Sequence, residues 1–354
     1  MWKALVGSLG MVVVVGCSGG GNPSGSGQSG GGNVALTGAG ATFPYPLYTK
    51  WVAEYAKSNP GVAINYQSIG SGGGIRQITE KTVDFGASDA PMSDEQLAKA
   101  QGVIHVPTCL GAVVLAFNLE GVTKLNLTPD TLSGIFLGEI KKWDDPKLKA
   151  DNPDVALPAK DIATVHRSDG SGTTKIFLDY LTQVSPAWAK GPGSGTSVSW
   201  PTGLGAKGNE GVAGQIKSQP SSIGYIELAY AMQNKMAMAS LKNRTGKFVA
   251  PKLESITAAA KGASSKMPED LRVSIVDADG DEAYPISGFT YILLYQKQQD
   301  AAKGKALAGF LSWALADGQK LTTALDYAPL PTEVVEKAKK RLGAVTGPDD
   351  KPLL

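Results

Sequence analysis

Three segments of this chain join Gly to Ser or Thr at the start of a helical pattern. They span residues 38–44 (Gly-Ala-Gly-Ala-Thr-Phe-Pro), 69–75 (Ile-Gly-Ser-Gly-Gly-Gly-Ile) and 167–173 (Arg-Ser-Asp-Gly-Ser-Gly-Thr). The second follows a β-like run ending near Gln67, and the third lies between a β-like run and a helix. Glycine lets backbone approach a ligand closely. The first N–H groups of a helix lack internal partners and carry the positive end of its dipole. Hydroxyls add donors in the same place. Such a site can hold a tetrahedral oxyanion with almost no net positive charge. Taken singly, each segment also reads as an ordinary turn or N-cap.

The surrounding pattern is one of short β-like runs alternating with amphipathic helices. Candidate strands cover 62–66, 103–106, 112–118, 161–166, 223–226, 271–276 and 289–295. Candidate helices cover 46–57, 129–137, 173–183, 305–316 and 331–342. In the first of these Leu47, Trp51, Val52 and Tyr55 share a face, and Asn59-Pro60 ends it. Thr128 is a good N-cap for the second, with Pro129 in its first turn. This alternation predicts an α/β fold. In open α/β sheets ligands bind beyond the carboxyl ends of strands, where these loops lie.

The N-terminus sets the compartment. After Met1-Trp2-Lys3 comes an apolar stretch to Val15, then Gly16-Cys17-Ser18. About a dozen apolar residues are too few to span a bilayer but suit a signal peptide. Val14-Val15-Gly16-Cys17 resembles a bacterial lipobox, so residues 1–16 are read as the signal and Cys17 as the lipid attachment point. Residues 18–33, nearly all Gly, Ser, Asn and Gln, carry no charge and read as a flexible tether. The expectation is a lipoprotein held at the periplasmic or outer side of a membrane. Cleavage would leave Cys109 as the single unmodified cysteine, in an apolar stretch that predicts burial.

The formal net charge is only +2 and no Lys/Arg-rich run occurs, which argues against nucleic-acid binding. No metal motif or cofactor motif is present. Of the two histidines, His166 adjoins the third segment, but neighbours on a strand face opposite ways, so it reads as structural. A secreted phosphatase or serine hydrolase is the rival reading. Asp169-Gly170-Ser171-Gly172 resembles a nucleophile loop superficially but lacks the Gly-x-Ser-x-Gly order. Two charged features stand beside the loops. Asp89 sits among small and apolar residues before Pro91, and Arg167 lies two residues from Asp169. Arg can grip an oxyanion through two donors while a carboxylate steadies it.

Several longer runs point to one family. They include Thr37 to Pro44, Gly70-Ser71-Gly72-Gly73, Val83 to Asp89 and Arg167 to Thr173. Gly138 to Asp144, Ile223-Gly224-Tyr225 and Leu325 to Pro331 join them. Together they resemble the substrate-binding protein of the bacterial phosphate-specific ABC transporter, from about Val34 to the C-terminus. The resemblance implies a two-lobed periplasmic binding protein fold of type II, with two hinge crossings and a ligand cleft between the lobes. The crossings are expected near 113–118 and 285–290. Lobe I is expected at 34–116 plus 288–354, and lobe II at 117–287. The resemblance also implies roles at the cleft. Thr42, Phe43 (through its N–H), Ser71, Ser171, Gly172 and Thr173 would donate to phosphate. Arg167 would contact it, steadied by Asp169, and Asp89 would accept a hydrogen bond from a ligand proton. The implied partners are the membrane permease subunits and ATPase of a phosphate importer. An extracytoplasmic phosphate sensor is the alternative within the same fold.

The role of Asp89 has a physical basis. Phosphate near neutral pH keeps at least one proton, whereas sulfate keeps none. A buried carboxylate would meet sulfate lone pair to lone pair, an arrangement that costs about 1–3 kcal/mol or more. Discrimination then comes from repulsion as much as attraction.

Overall fold

The computed structural model describes residues 33–261 and 267–354. The expected signal segment 1–16, Cys17 and the tether up to residue 32 lie outside the described residues. Among the described residues, no helix is long and apolar enough to cross a membrane.

The chain opens with β1 (Val34–Gly40), α1 (Tyr45–Ser58), β2 (Val62–Ser68), α2 (Ser71–Thr79) and β3 (Phe85–Ser88). A short α3 (Asp94–Lys99) leads into β4 (Val103–Asn118). Then follow β5 (Asn126–Leu127), α4 (Pro129–Phe136), α5 (Pro146–Asp151), β6 (Ala163–Arg167), α6 (Gly172–Val184) and α7 (Pro186–Lys190). Next come β7 (Leu204–Ala206), α8 (Gly208–Ser218), β8 (Ser222–Glu227) and α9 (Leu228–Gln233). Small strands β9 (Ala237–Met238), β10 (Ser240–Lys242) and β11 (Phe248–Val249) precede α10 (Leu253–Ala260). The chain returns through β12 (Ser287–Tyr295) and ends with helices Ala301–Ala314 and Thr332–Gly343.

One long mixed sheet organises the molecule, in the order β2-β1-β3-β12-β4-β8-β6-β7, with β9 also pairing with β4. β1 lies parallel to both β2 and β3, and β6 lies parallel to both β7 and β8. These parallel groups are the strand–helix units that the sequence pattern predicts. Antiparallel pairings of β4 join them. Residues 103–112 of β4 pair with β12, and residues 113–118 pair with β8. Fifteen of the sixteen residues of β4 are buried, all but Asn118, so the strand is the shared spine of two halves.

The sequence pattern gives two candidate strands here, 103–106 and 112–118, with Pro107 and Gly111 between them. The structure carries the strand through. Pro lacks an N–H for the ladder and is tolerated at bulges. Here the register slips at that point: Thr290 faces Cys109 while Tyr291 faces Pro107, leaving Thr108 as the extra residue. Thr108 donates its hydroxyl to the Thr290 carbonyl at 3.2 Å, which ties the bulge down.

Two further expectations shift, at the first polar segment and at the run 271–276, while the second segment opens a helix as expected, at Ser71. The first polar segment begins inside β1, because Gly38 to Gly40 find parallel partners on both sides. The run 271–276 is irregular rather than a strand: Leu271 has φ 65°, outside the extended range, and the Val273 carbonyl is taken by the Tyr291 hydroxyl at 3.2 Å. Helices α1, α4 and α6 start within a residue of their expected positions. Thr128 caps α4 by accepting from the Thr131 N–H. Cys109 is fully buried and free, as its apolar surroundings predict.

Large buried side chains fix α1 and α6 in place, α1 against the turn at Gly318 and α6 against the sheet. Trp51 of α1 is fully buried and donates to the Gly318 carbonyl at 2.8 Å. Phe177 of α6 stacks on Tyr225 of β8 with centroids 4.5 Å apart. Each such side chain contributes about 1.5–3 kcal/mol by burial alone.

Candidate functional site

The first polar segment reaches the site with its carbonyls already occupied. Tyr66 donates to Ala41 O at 2.7 Å, Tyr230 to Thr42 O at 2.6 Å and Tyr327 to Phe43 O at 2.6 Å. Three hydroxyls from three separate parts of the chain therefore hold the acceptor groups of this segment. Phe43 is left to offer its N–H, and Thr42 its hydroxyl. Both residues are buried.

The second segment enters α2 through Gly70, which has φ 89°. A side chain there is disfavoured twice, since a Cβ would also fall 2.4 Å from Asp169 Oδ2. Ser71 Oγ lies 3.3 Å from the Asp89 N–H nitrogen and 3.4 Å from Asp89 Oδ2. Asp89 Oδ1 accepts from Thr290 Oγ1 at 2.8 Å. The residue is only 3% exposed. Burial pushes its pKa up to about 7, against the pull of Thr290, Arg167 and Ser71. Thus Asp89 stands at the edge of ionisation near neutral pH.

The third segment brings the charged pair. Arg167 Nε and Nη2 donate to the two oxygens of Asp169 at 2.7 and 2.5 Å. Burial raises the Asp169 carboxyl, but this bidentate contact outweighs it and holds the group below its ordinary range. Gly208 N–H adds a third donor to Asp169 at 3.1 Å. The remaining guanidinium nitrogen, Nη1, points to Thr173 Oγ1 at 3.4 Å. Ser171 is the N-cap of α6: its Oγ accepts from Thr174 N–H, and its own N–H goes to Thr196 O at 2.8 Å. Its hydroxyl proton is the group left to donate. Gly172 and Thr173 occupy the first turn of α6, where N–H groups have no intrahelical acceptor.

The three segments meet. Gly72 N–H donates to Gly170 O at 2.9 Å, joining the second to the third. A Cβ on Gly172 would lie 2.5 Å from Ser71 Oγ and 2.6 Å from Asp89 Oδ2, so only glycine allows that approach. Asn209 of α8 joins the first to the third, donating to Thr42 Oγ1 at 2.7 Å and Thr173 Oγ1 at 3.1 Å. The structure therefore gathers Thr42, Phe43, Ser71, Asp89, Arg167, Asp169, Ser171, Gly172 and Thr173 into one neighbourhood at the carboxyl ends of β1, β3 and β6.

Sequence reasoning missed the supporting groups: Asn209, Thr290, Glu227 and the tyrosines at 66, 225, 230 and 327. Tyr225 accepts the Arg167 N–H at 3.0 Å and shares a 2.7 Å hydrogen bond with Thr174. Gly208-Asn209 opens a helix just after a short strand, so it carried the glycine half of the signal in the other three segments, without their Ser or Thr. The tyrosines carried none, because hydroxyl partners far apart in sequence leave no local pattern.

Glu227 is fully buried at the end of β8, where its Oε2 caps α9 by accepting from Ala229 N–H at 2.7 Å. Burial pushes its carboxyl well above the ordinary range; the Ala229 contact opposes this and the nearby Asp89 adds to it. The histidines sit in structural places. His105 Nε2 accepts from Met92 N–H at 3.0 Å, and His166 stacks on Trp200 at 4.7 Å. Among the described residues, no group of three or more His, Cys, Asp or Glu could hold a metal ion.

Fold and site define the class first. Residues 24–317 match the profile of the PBP superfamily domain, and the chain has that superfamily's two-lobed α/β architecture. Solved structures agree in fold. A high-affinity periplasmic phosphate-binding protein bound with phosphate superposes with a TM-score of 0.70 at 22% identity, over 88% of this chain and 94% of that one. A phosphate-binding protein from Stenotrophomonas maltophilia gives 0.67 at 20% identity, over 87% and 93%. Sequence relatives narrow the class. Phosphate-binding protein PstS of Pasteurella multocida is 47% identical over 304 residues, 85% of this chain and 88% of that protein. The PstS of Methanocaldococcus jannaschii is 39% identical over 360 residues, 95% and 92%. The chain belongs to the PstS family of phosphate-binding proteins, the substrate-binding components of phosphate ABC transport.

Proposed function

We propose that this protein captures inorganic phosphate outside the cytoplasmic membrane and delivers it to the permease subunits and ATPase of an ABC importer. The observation that carries this reading is one buried carboxyl, Asp89, facing a ring of donors assembled from three separate helix starts. Thr42, Phe43, Ser71, Ser171, Gly172 and Thr173 supply neutral donors. Arg167 supplies the cation, and Asp169 fixes its plane. Asp89 accepts a hydrogen bond from the proton that phosphate carries and sulfate lacks.

The lobes are taken as residues 34–116 with 288–354, and residues 117–287. The change of β4 from β12 to β8 at Ala112–Val113 supports a crossing there, and the entry into β12 at Ser287 supports the second. Closure between the lobes completes the donor set and excludes water. The lipid on Cys17 and the tether to residue 33 would keep the domain near the permease. Binding rather than catalysis fits the hydroxyl at the third segment: Ser171 is engaged as a helix cap, and the His166 Nδ1 faces the Arg167 carbonyl at 3.0 Å instead of a nucleophile.

A thermal-shift panel of oxyanions on residues 34–354 tests the reading. Phosphate at about 100 times its Kd should stabilise the protein by about 2.7 kcal/mol, and sulfate should leave the midpoint unchanged. Equal shifts with sulfate would remove the assignment of Asp89. Turnover of a chromogenic phosphate ester would favour the enzyme instead.

A further inference from the structure

We propose that Asn209 is a positioning residue that sets the hydrogen-bond polarity of the site, turning the hydroxyl protons of Thr42 and Thr173 toward the bound oxyanion. The inference rests on the oxyanion reading above and goes a step deeper, to what makes those hydroxyls donors.

A hydroxyl is ambivalent: it has one proton and two acceptor lone pairs. Left free, it donates or accepts as the neighbourhood demands. At Thr42 the neighbourhood has decided. Its Oγ1 accepts from Asn209 Nδ2 at 2.7 Å and from the Asn209 backbone N–H at 3.3 Å. At Thr173 the same holds: Oγ1 accepts from Asn209 Nδ2 at 3.1 Å and from Arg167 Nη1 at 3.4 Å. Each oxygen has two donors directed at it, so the proton is what each has left to offer.

The orientation of the Asn209 amide is not arbitrary. Its Oδ1 faces the Glu227 backbone N–H at 3.0 Å. A backbone N–H can only donate, so the carbonyl end must lie there and the NH₂ end must face the threonines. Asn209 is fully buried, which removes water as a competing partner. Both of its amide protons and its carbonyl are thereby used. The chain of constraint runs from the β8 ladder, through one side chain, to two hydroxyls on different segments. Because Thr42 follows β1 and Thr173 lies in α6, the same side chain also bridges the two lobes. An isosteric carboxylate at this position would reverse the polarity. Its second oxygen would accept from the threonines and draw their protons away from the ligand.

Phosphate titration calorimetry on four proteins tests this: wild type, Asn209→Asp, Thr42→Val and the double variant. Circular dichroism and the ligand-free melting midpoint establish that each is folded. A hydrogen bond to a charged group is worth enough that Thr42→Val should weaken wild-type binding about 10-fold, and Asn209→Asp about 100-fold. In the Asn209→Asp background, Thr42→Val should then cost less than about 2-fold, because that hydroxyl has already turned away. If it costs the same roughly 10-fold in both backgrounds, the introduced carboxylate acts by charge alone and the inference is overturned. Asn209→Ala covers the case of a misfolded Asn209→Asp variant. It leaves the hydroxyls free to rotate and adds no acceptor, so the loss should be smaller, about 10-fold, and Thr42→Val should still cost several-fold on top of it. Thr42→Val without effect in the Asn209→Ala background would likewise overturn the proposal. Wild-type protein that binds no phosphate would be a different failure, removing the binding reading itself.

Discussion

Two aspartates of the same site, Asp89 buried and Asp169 partly buried, behave in opposite ways. Asp169 receives two charge-assisted hydrogen bonds from Arg167 and one from Gly208 N–H, and its carboxyl is held below the ordinary range. Asp89 receives one good hydrogen bond, from Thr290, and burial pushes it up to about 7. The residue type is the same; the partners decide the role. In the proposed function, the fixed charge on the Arg167 side serves attraction. The conditional charge on the Asp89 side serves discrimination there, because a carboxylate accepts a hydrogen bond from a protonated ligand and repels an unprotonated one. A site built only like the first side would hold any small oxyanion.

The largest expected effect comes from breaking the fixed side. Arg167→Met strands the partly buried Asp169 as an uncompensated charge, a loss of about 3 kcal/mol in stability, at the low end for broken buried pairs. Phosphate affinity should fall more than about 100-fold, since both the cation and its orienting pair are gone. Urea unfolding and calorimetry read the two losses separately. Retained affinity would mean that the neutral donors suffice.

Next in size is the conditional side. The pKa of Asp89 is raised in the folded protein to about 7, from 3.8. Folding therefore binds its proton more tightly than the unfolded chain does. The stabilisation is complete below about pH 4 and is lost as pH rises through about 7. Asp89→Asn removes this dependence. The ligand-free variant should be more stable than wild type at pH 8 by up to a few kcal/mol, and close to wild type at pH 4, as read by urea unfolding. An identical offset at both pH values would show that Asp89 does not titrate in this range.

The smallest effect is expected at Glu227, a third buried carboxyl. Burial pushes its carboxyl well above the ordinary range, and Gln can keep the contact to Ala229 N–H. Glu227→Gln should change stability by no more than about 1 kcal/mol and leave phosphate affinity within a few-fold. A severe loss would mean that Glu227 is ionised in the folded protein, contrary to its burial.

Much of the fold was legible because its information is local. Apolar faces such as Leu47, Trp51 and Tyr55 predict α1, and Thr128 predicts the start of α4. The places that were not legible involve competition at a distance. Pro107 reads as a strand breaker, yet the bulge opposite Thr290 absorbs it. The alternating run 271–276 reads as a strand, yet the Tyr291 hydroxyl takes the Val273 carbonyl from the side. The site divides along the same line. Gly and Ser or Thr at three helix starts announce an oxyanion site from local chemistry. Asn209 and the three tyrosines that hold the carbonyls of residues 41–43 act through contacts far apart in sequence, from Tyr66–Ala41 to Tyr327–Phe43.

The contrast between the two aspartates can be tested in one measurement: calorimetric titration of wild type and Asp89→Asn with phosphate and with sulfate at pH 8. At that pH Asp89 is mostly ionised, so it repels a proton-free dianion and accepts from a protonated one. The account predicts that wild type prefers phosphate over sulfate by at least about 100-fold, and that Asp89→Asn shrinks this ratio to about 10-fold or less, mainly by admitting sulfate. An unchanged ratio in the variant, or comparable binding of the two anions by wild type, would contradict it.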